Sequence, residues 1–196
     1  MEKLISLVRK FVYLFWLPFN IFVLITYRLD IGLIRGIKGP LKIIGQGKVD
    51  IGQGFRSNAG RYFNIIGGDT NLTFLVKKGA EISIGQNCGI SNSTIIAHHK
   101  IKNGSNVLIG GGVKIYDTNF HSLNYAHRRD PTSDQLNTTT GRITIGNDVF
   151  IGAHTIILKD STIGDRCIIG AGSVVRGTIP SGEIWAGNPA KRVGQK

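Results

Sequence analysis

The chain has 196 residues, of which 41% are hydrophobic and 18% charged, enough for one domain with a sizeable core and too apolar for a disordered chain. Lys+Arg 24 against Asp+Glu 12 leaves a formal charge of +12, which points to an anionic partner: nucleic acid, an anionic membrane or a phosphate-bearing cofactor. Cys88 and Cys167 are too few for a disulfide framework and form no CxxC pair for zinc, so both read as reduced core residues of a cytosolic protein.

In chain order, the first feature is residues 11–27 (FVYLFWLPFNIFVLITY), which carry no charge and follow Lys3, Arg9 and Lys10. A membrane span takes about 17–25 residues, so this stretch sits at the lower edge. Pro18 and Asn20 predict two short helical pieces in place of one clean span. No A-x-A site follows, which argues against a removed signal peptide. Leu4, Leu7, Val8, Phe11 and Phe15 make an apolar stripe, with Lys3 and Lys10 off it. Three readings stay open: a helix or shallow hairpin on a membrane surface, a true span, or a greasy helix packed on the domain or a neighbouring subunit. Basic flanks with Trp16 and Tyr27 favour the surface reading. Residues 1–36 are therefore expected to form a membrane-associating segment on the cytoplasmic face, dispensable for folding, and residues 37–196 the main domain.

A six-residue period fills that domain. Aliphatic residues recur at Ile66, Leu72, Ile84, Ile90 and Ile96, with Lys78 the one exception, then at Ile109 and Ile115 after a one-residue slip. Ile145, Ile151, Ile157, Ile163, Ile169 and Val175 continue unbroken. Gly follows at 67, 79, 85, 110, 146, 152, 164 and 170, and a small or β-branched residue stands four places on, as at Thr70, Cys88, Val113, Val149, Thr155, Ser161, Cys167 and Ser173. Six is a poor match to the helix period but an even number, so a strand returns the same face inward at every step. A short strand and a turn, with Gly supplying positive φ, make one unit, and stacked units make an all-β solenoid. The slip is expected within residues 97–104. Residues 121–138 (HSLNYAHRRDPTSDQLNT) lack the period and form a loop on the solenoid wall, where function concentrates.

The run ITIGNDVFIGAHTIILKDSTIGDRCIIGAGSVV, followed by IPSGEIWAGNPAKRV, resembles the hexapeptide-repeat acyltransferases. Within them it is most similar to the branch of maltose and galactoside O-acetyltransferases and of O-acetyltransferases of surface-polysaccharide synthesis. VLIGGGVKIYDTNFHS resembles that branch's His-bearing active-site stretch, and the likeness spans residues 69–193. The resemblance implies a left-handed parallel β-helix, a homotrimer, acetyl-CoA in the groove between neighbours, and metal-free transfer of acetyl to a saccharide hydroxyl, in polysaccharide, lipopolysaccharide or capsule biosynthesis.

A hydroxyl needs a base to take its proton as it attacks a thioester, and a neutral His suits that task. His121 matches the family's catalytic His. Its orienting acceptor is expected to be Asp117, the nearest upstream carboxylate, or a backbone carbonyl. Asn119 beside it, and Asn92 on an earlier coil, are the candidate acceptor-binding residues. Ala153 and Ala171 match family positions along the cofactor's arm, and Arg176 and Lys191 basic or polar positions near its nucleotide. His98, His99 and His127 are weaker candidates for acceptor contact, and His154 reads as surface. Nucleic acid is disfavoured by spread cations and by the lack of any zinc-finger, RRM or basic-helix signature. Two alternatives remain: a metalloenzyme like the γ-carbonic anhydrases, with His121, His127 and His98 or His99 as ligands, and a non-catalytic solenoid scaffold at a membrane.

Overall fold

Each turn of the chain lays one short strand on each of three faces, and the strands stack coil on coil into three sheets in the computed structural model, which describes residues 2–68 and 71–195. The first sheet runs from Ile37–Lys38 to Glu183–Ala186, the second from Leu41–Gly45 to Val174–Val175, and the third from Lys48–Ile51 to Thr178–Ile179. All three are parallel, apart from the final strand Lys191–Gln195, which pairs antiparallel with Glu183–Ala186. The fold is the left-handed parallel β-helix.

The six-residue period sets this register. Ile109, Ile151 and Ile169 stack in the first sheet, Ile115, Ile157 and Val175 in the second, and Ile145, Ile163 and Ile179 in the third. All nine are buried, each contributing about 1.5–3 kcal/mol of transfer free energy. Cys88, Val113, Val149, Thr155, Ser161, Cys167 and Ser173 fill the inward turns, as their period requires.

The repeat glycines obey two rules: Gly67 and Gly79 have the expected positive φ, and others do not. Gly110, Gly152 and Gly170 do not have positive φ; a Cβ on Gly110 would stand 2.7 Å from the backbone nitrogen of Ala153 in the next coil. Close stacking of turns, not handedness of φ, demands glycine there. Positive φ is carried instead by Asn87, Asn106, Asp148 and Arg166, one per coil at the corner between the third and first sheets.

The slip has two parts, one earlier than expected and one in the expected place: eight residues separate Ile95 from Asn103, against six between the equivalent Ile157 and Ile163. Ile95, not Ile96, turns inward, because the corner at Asn92 and Ser93 is one residue short. Asn103 then occupies the inward register between Ile84 and Ile145, which hides the period in this coil. Ile66 is not in a coil; residues 59–68 form a second excursion, and Thr70 lies outside the described residues. The expected loop at 121–138 extends from Tyr116, which ends one strand, to Ile143, which begins the next.

The N-terminal segment is one continuous helix, α1 (Glu2–Thr26), in place of the two expected pieces, with Pro18 inside it. Its last turns close the open end of the solenoid. Val23 and Leu24 join the core, and the buried Asn20 donates to Gly39 O (2.9 Å) and accepts from Leu41 N (3.0 Å). Asn20 thus satisfies two backbone groups at the first coil that have no coil before them. The segment and the domain share one core across the expected boundary at residue 36, since Leu33 and Ile37 are both in it. At the other end the antiparallel pair of 183–186 and 191–195 closes the stack, with Glu183 held by Arg192 and by the indole of Trp185.

Candidate active site

The loop between Tyr116 and Ile143 leaves the corner between the second and third sheets, directly over the corner that carries His98 and His99 one coil earlier. Asp117 anchors it. The carboxylate is fully buried and accepts from His98 N (2.7 Å) and His99 N (2.9 Å), while its carbonyl accepts from Gly141 N (2.8 Å). Thr118 and Thr140 bridge across the neck. Asp117 is therefore not the partner of His121: both of its oxygens are engaged on the backbone of the coil beneath.

The carboxylate beside His121 comes from further along the loop. Asp130 caps α2 (Pro131–Leu136) by accepting from Ser133 N at 2.7 Å, with Pro131 at the first helical position. That short helix carries Asp134 back to the loop base. Asp134 Oδ2 lies 2.6 Å from His121 Nδ1, and Oδ1 accepts from Ser122 N at 2.7 Å. These two contacts, the imidazole first and the amide second, hold the Asp134 carboxyl below its ordinary pKa. Arg128 Nη1 donates to Ser122 O at 2.6 Å and ties the loop's middle to the same point. The His121 side chain is 70% exposed while Asp134 is 14% exposed, so the ring is held from behind and open in front.

Phe120, next to His121, has φ +61, a strained conformation for a bulky residue, which costs about 1–3 kcal/mol. Its amide donates to Thr118 Oγ1, and its ring packs on Tyr116 at 5.3 Å and edge-on to His98 at 5.8 Å. Burial pushes the His98 imidazole pKa down, with Lys77 adding to the effect and Asp117 opposing it. His98 is thus brought to the loop base as a neutral ring, while His99 is exposed. Asn119 Nδ2 donates to Thr139 Oγ1 at 2.9 Å, so it stands at the neck, two residues from His121.

Asn92 does not reach this region. It is fully buried, accepts from Gly60 N (2.6 Å) and donates to Asn64 O (2.8 Å) and Ile66 O (3.2 Å). Its side chain fastens the 59–68 excursion to the coil and has no surface to offer an acceptor. Ala153 and Ala171 stack on successive coils at the corner between the first and second sheets. Lys191 continues that edge, paired in register with Ala186, which lies beside Gly170. Arg176 stands apart, exposed at the corner between the second and third sheets.

Among the described residues, no three His, Cys, Asp or Glu side chains converge as a metal site. Within one chain His121 Nδ1 is held by Asp134, and His127 Nδ1 lies 3.2 Å from Ser122 Oγ. Asp134, Tyr116 and Phe120 were not singled out from the sequence. The Asp-Pro-Thr-Ser-Asp run was the available signal, since a capping Asp before Pro opens a helix whose first turn carries Asp134.

Comparisons with known proteins agree with this architecture. The family model "Bacterial transferase hexapeptide (six repeats)" matches residues 142–177. Galactoside O-acetyltransferase of Escherichia coli K12 is 37% identical over 114 residues, covering 58% of this chain and 53% of that protein. The chain thus spans little more than half the length of that relative. WbbJ of the same organism, described as a lipopolysaccharide biosynthesis O-acetyl transferase, is 29% identical and covers 80% of this chain and 76% of its own length. Among solved structures, galactoside acetyltransferase in complex with coenzyme A has a TM-score of 0.53 at 28% identity, covering 79% of this chain and 64% of that one. The hexapeptide-repeat acetyltransferase VCA0836 of Vibrio cholerae, complexed with acetyl coenzyme A, also has a TM-score of 0.53 at 28% identity, over 78% and 70% of the two chains. By its repeat, its triangular coil and these relatives, the chain is similar to the hexapeptide-repeat acyltransferases.

Proposed function

We propose that the protein transfers an acetyl group from acetyl-CoA to a saccharide hydroxyl, with His121 as general base. The observation that carries this reading is the His121–Asp134 contact at the base of the loop, with the ring's other side open. With its proton on Nδ1, directed at Asp134, the imidazole keeps Nε2 as an acceptor. His121 Nε2 takes the hydroxyl proton as that oxygen bonds the acetyl carbon. When the carbon–sulfur bond breaks, His121 returns the proton to the departing sulfur, so the base is regenerated without a metal.

Two relatives solved with coenzyme A or acetyl coenzyme A support the donor. On this chain the Ala153–Ala171 edge, kept narrow by Gly110 and Gly152, suits the thin pantetheine arm, and Lys191, which continues that edge, suits the phosphates, while Arg176 lies at another corner of the coil. Asn119, at the loop neck, and the His98 ring are the acceptor-side candidates. The relatives named for galactosides and lipopolysaccharide support a saccharide acceptor, and the latter supports a role in surface-polysaccharide synthesis. A front-exposed His121 on a single chain supports a homotrimer, in which a neighbour's wall completes the site. The apolar α1 supports placement at the cytoplasmic face of a membrane, where acetyl-CoA is present.

The test is mass spectrometry of acetyl-CoA reactions against a panel of free and lipid-linked glycans. One acetyl added to a glycan with free CoA released is the expected outcome. Acetylation of amines alone, or no transfer to any glycan, would contradict the reading.

A further inference from the structure

A cavity of about 910 Å³, lined by none of the loop residues around His121, lies between α1 and the first coils. Its wall carries four cations, Arg9 and Lys10 from the helix and Arg35 and Lys38 from the solenoid, interleaved with Tyr13 and Phe63, and among the described residues no carboxylate lines it. A second cavity of about 470 Å³ shares Arg35 and Lys38 and adds Arg56. Among the described residues, none of these five cations forms an ion pair; the ion pairs use Lys48, Lys100, Lys159, Arg192 and His121. Arg9 is fixed in place by donating to Tyr62 O at 2.9 Å. Cations brought together from two elements without a counter-charge repel one another, so the cleft is arranged for an anion.

The opposite side of the same helix is apolar and open. Leu4, Leu7, Phe11, Phe15, Phe22 and Ile25 are each between 58% and 71% exposed. Their steps of three, four and seven residues put them on one arc, away from Arg9 and Tyr13. An interfacial helix sinks its apolar face about 5–10 Å into the boundary between headgroups and acyl chains. With this arc sunk so, the cationic cleft behind it comes to the level of the lipid phosphates.

We propose that the cleft between α1 and the first coils is a docking site for the phosphate headgroups of an anionic phospholipid leaflet, with the outer arc of α1 in the acyl layer. This rests on the membrane reading of α1 and is independent of the acyl-transfer reading. The solenoid-side cations are part of it, so membrane binding depends on residues outside the helix. That separates this surface from a simple greasy anchor, which would ignore Arg35 and Lys38.

Flotation of the full-length protein with vesicles of phosphatidylcholine, with and without phosphatidylglycerol, tests the proposal. Wild type is expected to float with the phosphatidylglycerol vesicles, more weakly with neutral ones, and less as salt is raised. The double variant Arg35→Glu/Lys38→Glu is expected to lose binding to the anionic vesicles by about tenfold or more, with its far-ultraviolet circular dichroism and melting unchanged. Phe11→Ser/Phe15→Ser is expected to lose binding to both vesicle types. Equal flotation of wild type and Arg35→Glu/Lys38→Glu, or equal binding of wild type to neutral and anionic vesicles, would overturn the cleft while leaving α1 an anchor. Wild type that ignores all vesicles and self-associates through α1 in their absence would overturn both the cleft and the membrane reading, with a second copy as the occupant of the arc.

Discussion

His121 is a side chain on a polar loop, and by itself such a residue samples several rotamers. Asp134 removes that freedom: one oxygen meets the imidazole and the other the amide of the next residue. A base whose ring is fixed and whose tautomer is set wastes less of each encounter with substrate. Asp134→Asn should therefore lower kcat by about 10–10³-fold, since the amide holds the amide of Ser122 but no longer selects the Nδ1–H tautomer. Acetyl-CoA affinity and KM should change little, and Asp134→Glu should recover part of the rate. A loss of affinity equal to the loss of kcat would make Asp134 a structural prop only. The depressed Asp134 pKa also has a sign. Stabilisation from this carboxylate is complete above the ordinary Asp value of about 3.9 and disappears only as pH falls through its lower folded value. The loop should therefore stay closed in mild acid, with the Asp134 carboxyl carbon resonance titrating below the range of exposed carboxylates; titration at or above that range would contradict the geometry.

At the scale of elements, α1 has two halves with different duties. The last turns belong to the core through Asn20, Val23 and Leu24, whereas the first turns expose their apolar arc. Deleting residues 1–27 uncovers Leu41 and Ile37 and leaves the Gly39 and Leu41 backbone groups without Asn20, so the truncated chain should aggregate or melt at least several degrees lower. Deleting residues 1–12 should leave melting close to that of the full chain, read by calorimetry in detergent; equal losses in both would mean the helix acts as one unit. The coil itself is sensitive at its turns. Gly110→Val would push a side chain into the backbone of Ala153 and should destabilise by about 1–3 kcal/mol or more.

The repeat made these coils readable because each unit repeats one requirement: an aliphatic inward, a small residue in the turn, a glycine where the next turn stacks. What was hard to read were the places where a polar residue meets that requirement. Asn103 takes an aliphatic's register, and Asn92 shortens one corner before two extra residues lengthen the next, so the sequence shows only the net slip of one, and Ile66 keeps the period although residues 59–68 leave the coil. Site residues were readable in proportion to their distance from regular structure. His121 stands at a break in the period and could be found; its partner sits thirteen residues on, and only a folded α2 brings it back. Asp117 was a reasonable choice by proximity, but proximity in sequence does not reveal that its oxygens are already satisfied by the coil below.

The whole molecule is a column with a cationic cleft at one end, a His-bearing loop on its wall, and cations near its far end at Arg176 and Lys191. Lys191→Glu should weaken acetyl-CoA binding several-fold in calorimetry, with wild-type affinity falling as salt rises; affinity indifferent to both would remove Lys191 from the donor site. Sedimentation in detergent should give three copies per particle, and a stable monomer with full activity would leave no need for a neighbour's wall.

The central claim is that His121 moves the proton in acetyl transfer. Its most direct measurement is the turnover of His121→Ala against acetyl-CoA and an accepted glycan, alongside acetyl-CoA binding by the same protein. The account predicts a fall in kcat of about 10²–10⁴-fold with donor affinity unchanged. A variant that keeps its turnover within threefold of wild type would contradict it.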